Sequence, residues 1–205
     1  MRITKRAEVL QYMEAVHVST GSKLREHVPV SGAYLDELAR GGELTRLGRG
    51  MYALPDAEPS IYRSFVEVMA AMPDAVIALT SALSFHGIGT QLPWAVWVAV
   101  PRQSRSYVPV GVETPTQMVR MDRAVIGDGV EDHMIEGVTV RVHSVEKAIA
   151  DCFKYSGRVS LNVALEALKD AWVGGRVDMD RLYEYASRDR VWNKMRPYVE
   201  MVQQQ

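Results

Sequence analysis

Between Leu44 and Pro55 the chain reads Leu-Thr-Arg-Leu-Gly-Arg-Gly-Met-Tyr-Ala-Leu-Pro. Two short β-prone runs flank a tight basic turn, and its glycines supply the positive φ that such a turn needs. This hairpin follows directly on short helical patterns. Helix, turn, helix and then an arginine-bearing hairpin is how a small domain lays one helix in a DNA groove and two cations beside the flanking phosphates. Residues 1–55 therefore read as a winged helix-turn-helix DNA-binding domain.

The helical patterns have clear boundaries. Val9, Leu10, Met13 and Val16 share one face of a first helix from about Thr4 to Ala15. Ser19 or Thr20 offers an N-cap for a second helix through Leu24 to about Glu26. Val28-Pro29 ends it, because a residue before proline is pushed out of the α region. Ser31 caps a third helix in which Leu35 and Leu38 point inward and Gly41-Gly42 stop the run. Strands Glu43–Leu47 and Met51–Leu54 follow, and Leu44, Leu47, Tyr52 and Leu54 close a small core beneath the helices.

Pro55-Asp56-Ala57-Glu58-Pro59, with two prolines, two acids and no periodicity, reads as a linker. Residues 56–205 then form a mixed α+β domain with a small sheet and a helical C-terminal end. Helices are expected at about 60–71 and 80–86, strands at 95–100 and 117–121, and a hairpin over 134–142. From Ser144 onward the pattern is helical: a helix to about Lys154, an apolar stripe of Leu161, Ala164, Leu165, Leu168 and Trp172, and helices at about 179–187 and 191–202.

Composition narrows the class. With 47% apolar and 24% charged residues the chain is an ordinary globular protein with no apolar run long enough to span a membrane and no leader pattern. Its single cysteine, Cys152, fits a reducing, cytoplasmic setting. The net charge of −1 conceals an asymmetry: residues 1–55 hold eight Lys/Arg against six Asp/Glu, and residues 56–205 hold sixteen against nineteen. The basic excess sits on the DNA-binding end.

On the winged helix, the start of the third helix (Ser31, Gly32, Ala33, Tyr34) would lie near base edges, with Lys23, Arg25, Arg46 and Arg49 near phosphates. Asp36 and Glu37 on the same helix count against DNA, although an acid can accept from a cytosine amino group. Winged helices also serve as protein–protein modules. Elsewhere, Ser144-Val145-Glu146-Lys147 matches S-x-x-K, but no S-D-N or K-T-G accompanies it, and a serine opening a helix is an N-cap. His86, His133 and His143 lack metal-ligand spacing, so no metal site, cofactor or catalytic set is expected. Cys152 reads as a core residue. Asp151, an acid beside an apolar face, is at a boundary, paired, or functional. Arg102 and Arg105 form a basic loop cluster, either solvated or a contact surface of the second domain.

Four stretches in order carry a family resemblance: Gly42–Pro55, Ser81–Ile88 with the strand Val96–Val100, Glu136–Val140 leading to Ser144–Cys152, and Leu161–Leu168. With these the chain resembles the AbiEi-type antitoxins of type IV (abortive-infection) toxin–antitoxin systems. The resemblance implies a winged helix that binds operator inverted repeats and represses its own operon, with two copies on double-stranded DNA. It also implies a second domain that counteracts a cognate nucleotidyltransferase-like toxin without a stable complex. The alternatives are a ligand-sensing winged-helix regulator, a nucleic-acid-processing enzyme, and an interaction module that never touches DNA.

Overall fold

The computed structural model describes residues 4–48, 50–57, 60–104, 108–109 and 112–204. It is a mixed α+β protein with two sheets, and its chain divides into two compact units. The first runs to Pro73 and takes in Val108–Thr114 and Met134–Val140; the second holds Asp74–Tyr107, Pro115–His133 and the chain from Arg141 onward.

In the first unit, α1 (Lys5–Val16) is capped by Thr4, whose hydroxyl accepts from the Ala7 amide at 3.3 Å. Thr20 caps α2 (Gly21–His27) in the same way, and α2 stops where Val28 turns extended ahead of Pro29. Ser31 caps α3 (Gly32–Arg40). Three strands, β1 (Val18–Thr20), β2 (Thr45–Gly48) and β3 (Met51–Ala53), make an antiparallel sheet in the order β1-β3-β2. The sequence pattern did not show β1. It is three residues long, one of them the α2 cap, and it is a strand because β3 pairs with it from Val18↔Ala53 to Thr20↔Met51.

The core beneath the helices holds Val9, Met13, Leu24, Val28, Leu35, Leu38, Leu44 and Tyr52. Leu47, expected there, lies in a bulge between Arg46 and Gly48 and stays half-exposed, and Leu54 packs against the cluster from its margin. Gly21 permits a close approach: its N–H donates to the Gly50 carbonyl at 2.7 Å, and a Cβ there would meet the Tyr52 ring at 3.2 Å. α4 (Arg63–Ala71) begins at Arg63, and its buried Glu67 accepts from the Glu113 amide at 2.7 Å and from the Thr114 hydroxyl. Of the expected linker, Glu58 and Pro59 lie outside the described residues.

The second sheet has the order β6-β5-β4-β8-β7. Its strands are β4 (Val76–Ile77), β5 (Val96–Pro101), β6 (Thr116–Met121), β7 (Val130–Ile135) and β8 (Val138–His143). β4 runs antiparallel to β5 and parallel to β8, and β5 is parallel to β6 from Val96↔Thr116 to Pro101↔Met121. β7 starts before the hairpin expected from the sequence, and the turn falls at Glu136-Gly137, both at positive φ. The helices are α5 (Leu79–Phe85), α6 (Arg123–Ile126), α7 (Val145–Lys154), α8 (Leu161–Val173), α9 (Met179–Arg188) and α10 (Trp192–Gln203). α7 packs against α5, α8, α9 and α10, and every residue from Val145 to Phe153 is buried. α8 buries Ala164, Ala167, Leu168 and Ala171, a face of small residues that suits close helix packing, while Leu161, Leu165 and Trp172 sit at its margin.

Candidate nucleic-acid interface

α3 is the element on which the expected site residues converge. Leu35 and Leu38 anchor it to the core. Successive helical residues are about 100° apart, so Ala33, Glu37 and Arg40 fall on the side opposite that anchor, and all three are exposed. Ser31 sits exposed at the N-cap, its Oγ accepting from the Tyr34 amide at 3.2 Å. The Tyr34 side chain is half-buried and packs against the core cluster.

Two cations approach this helix, near Gly32 and near Asp36, positions one turn apart. The Arg25 guanidinium lies over its first turn: a Cβ on Gly32 would be 3.4 Å from Arg25 Nη1, and Arg25 Nη2 donates to Ser22 Oγ at 3.4 Å. A positive group beside unpaired helix N–H groups is a setting that attracts anions. One turn further along, Arg46 projects from β2, its Nε donating to the Gly48 carbonyl at 3.3 Å and its Nη1 3.7 Å from Asp36 Oδ1. Arg46 is paired with Tyr52 across the sheet, and the Tyr52 hydroxyl donates to the same Asp36 oxygen at 2.8 Å. Burial, then the hydrogen bond to Asp36 and the charge of that carboxylate, push the Tyr52 hydroxyl up to about 12, against the opposing charges of Arg46 and Arg25. It therefore stays a donor throughout the ordinary pH range.

Lys23 is engaged elsewhere. Its ammonium donates to the Gly137 carbonyl and lies 3.7 Å from Met134 Sδ. Arg49 lies outside the described residues, as does Arg105. Arg102 is exposed at the end of β5 and pairs with the exposed Asp122 at 3.1 Å.

The sequence reading passed over Arg40 and counted Glu37 together with Asp36. The helical wheel separates them: Asp36 lies toward the sheet, within reach of Tyr52 and Arg46, whereas Glu37 lies on the outer face with Ala33 and Arg40.

A second polar cluster lies within the second unit. Lys147, fully buried on α7, donates to Asp151 one turn later and to Asp189 at 2.8 Å, and Asp189 also accepts from Lys154 at 2.5 Å. His143 Nδ1 lies 3.1 Å from Asp151 Oδ2, and its Nε2 is 3.0 Å from the Ile126 carbonyl. The two ammonium groups and two carboxylates balance. Asp151, left open between three roles by the sequence, is paired. The S-x-x-K residues diverge: Ser144 Oγ caps α7, accepting from the Lys147 amide at 3.4 Å and donating to Glu146 at 2.9 Å, while the lysine ammonium goes to the two aspartates. Cys152 is buried, and burial followed by the Asp151 charge raises its thiol far above the usual range. His86 Nε2 lies 2.8 Å from the His143 carbonyl, and His133 stands 3.4 Å from Glu131. Among the described residues no group of three or more His, Cys, Asp and Glu could hold a metal ion, and no helix is long and apolar enough to cross a membrane.

No family model matches the chain, and no curated protein matches it. Among solved structures, the crystal structure of RV2827C protein from Mycobacterium tuberculosis is similar, with a TM-score of 0.65 at 16% identity, over 98% of this chain and 78% of that one. At that identity the likeness is one of fold.

Proposed function

We propose that residues 1–55 are a winged helix-turn-helix that binds double-stranded operator DNA. α3 is the recognition helix, and the β2–β3 hairpin is the wing. The observation that carries this reading is the exposed outer face of α3, with Arg25 near its first turn and Arg46 beside Asp36 one turn on. Cations beside a groove-bound helix neutralise backbone phosphates, and these two arginines are available for that role. Asp36 is offset by Tyr52 and Arg46, which lowers its repulsion of phosphates.

Together with the resemblance of the four sequence stretches, this supports an AbiEi-type antitoxin of a type IV system, acting in the cytoplasm by binding and not by catalysis. Two copies occupy inverted repeats and repress the operon, and residues 56–205 counteract a nucleotidyltransferase-like toxin without a stable complex. The test is a fluorescence-anisotropy salt titration on a duplex from the chain's own upstream region. Arg25→Ala and Arg46→Ala are each expected to lower the slope of log affinity against log salt by about one unit. Absence of binding to any duplex at low salt overturns the reading. Rescue of cells expressing a neighbouring nucleotidyltransferase-like gene tests the antitoxin half.

One observation favours a ligand-sensing regulator as the second reading. A cleft of 680 Å³ in the first unit is lined by Glu14, His17, Asp56, Ser60 and Glu136 among others. Glu14 and Asp56 there would favour a cationic, hydrogen-bond-donating ligand, Glu136 being held by Arg63 and the Ser60 amide. Release of bound DNA on adding such a compound would support it.

A further inference from the structure

The outer face of α3 carries a carboxylate with no partner among the described residues. Glu37 is exposed, lies opposite Leu35 and Leu38, and its carboxylate makes no ion pair or hydrogen bond to another described residue. Its neighbour Asp36 is held by Tyr52 and Arg46. Arg40, three residues on and on the same face, is likewise exposed and unpaired among the described residues.

Resting on the reading of α3 as the recognition helix, we propose that Glu37 and Arg40 are specificity residues that select a C·G pair in the major groove of each half-site. An ionised carboxylate only accepts hydrogen bonds. Against a duplex it meets phosphate repulsion everywhere except where a base edge offers a donor. The major groove has two such donors, cytosine N4 and adenine N6. Adenine places its N7 acceptor beside that amino group and so faces a carboxylate with a second repulsion. Cytosine presents its amino group without a neighbouring acceptor of its own. The guanine paired with it exposes O6 and N7, the two acceptors that a guanidinium fork bridges. Residues at i and i+3 are neighbours on one helix face, so Glu37 and Arg40 can reach the two halves of one pair or of adjacent pairs.

The experiment is selection of bound duplexes from a random-sequence pool by the full-length chain and by Glu37→Ala, Glu37→Gln and Arg40→Ala. The wild type is expected to recover sites with a fixed C·G in each half. Glu37→Ala should lose that preference by about tenfold or more while binding random duplex several-fold more tightly, because a repulsive charge is gone. Glu37→Gln should shift the preference toward adenine, whose N6 and N7 suit an amide. Arg40→Ala should lose the preference and weaken binding to all sequences. Binding by Glu37→Ala with every base preference unchanged overturns this proposal alone. Failure of the wild type to bind any duplex overturns it together with the reading on which it rests.

Discussion

The Tyr52 hydroxyl donates to Asp36 Oδ1 at 2.8 Å, tying the middle strand of the first sheet to the helix that would face DNA. The donor is buried and the acceptor half-exposed. The bond adds to the anchoring of α3 by Leu35 and Leu38 and holds Asp36 beside Arg46, away from the outer face.

Tyr52→Phe keeps the ring and removes that donor. The expected loss of stability is about 1 kcal/mol, the usual net worth of one such hydrogen bond. It would be read as a lower urea midpoint with an unchanged slope. Asp36 would be left with Arg46 alone at 3.7 Å, so affinity for DNA should fall modestly for every sequence. Base preference should stay as in the wild type, in contrast to the Glu37 variants. A preference change in Tyr52→Phe would place the specificity device at Asp36 instead.

Asp189→Ala should be far more damaging than Lys154→Ala. Asp189 holds Lys147, which has no exposed surface, and Lys154, whose side chain is a quarter exposed. Removing the carboxylate leaves a buried ammonium with one partner, a change that costs about 3–5 kcal/mol. Removing Lys154 takes away the half of the cluster that reaches water, for which about 1 kcal/mol is expected. Equal urea midpoints for the two variants would show that Asp189 does not govern the cluster.

The cluster also sets a pH dependence. Burial pushes the Asp151 carboxyl up, but the Lys147 ammonium and His143 outweigh it and hold the group below the ordinary carboxylate range. For Lys147, burial pushes the ammonium down, and the charges of Asp151 and Asp189 bring it above its ordinary value. A depressed carboxylate contributes stability that is complete above its unfolded value, about 3.9, and is lost as pH falls through its lower folded value. A raised ammonium contributes stability that is complete below about 10.4 and is lost as pH rises through its higher folded value. The stability that Asp151 contributes over Asp151→Asn should therefore shrink as pH falls below about pH 4. Urea midpoints at constant ionic strength check this, and a gap unchanged down to about pH 2 would contradict it.

Local chemistry was readable along much of the chain. Ser31 and Ser144 each stand before an apolar periodic run and cap the helix that follows, and of Ser19 and Thr20 it is Thr20 that caps α2. Elements whose identity depends on distant partners were not readable. Val18–Thr20 and Val76–Ile77 are too short to show alternation and are strands because a neighbouring strand pairs with them. The four-residue α6 is below the length at which a helical period is visible. Lys147 and Asp151 show their i, i+4 spacing in the sequence, but Asp189 lies 42 positions beyond Lys147 and carries no local mark of belonging to them. The separation of Asp36 from Glu37 was within reach of the sequence, because 100° of helical rotation divides them.

The enclosure of α7 has a practical meaning for anyone trimming this chain. Its central lysine is neutralised in part by a residue at the far end of α9, so a fragment stopping within α8 would leave that buried cation with Asp151 alone. Such a product should be captured by proteases or precipitate. A C-terminal boundary must therefore lie beyond residue 189, and beyond α10 as well, since that helix also covers α7.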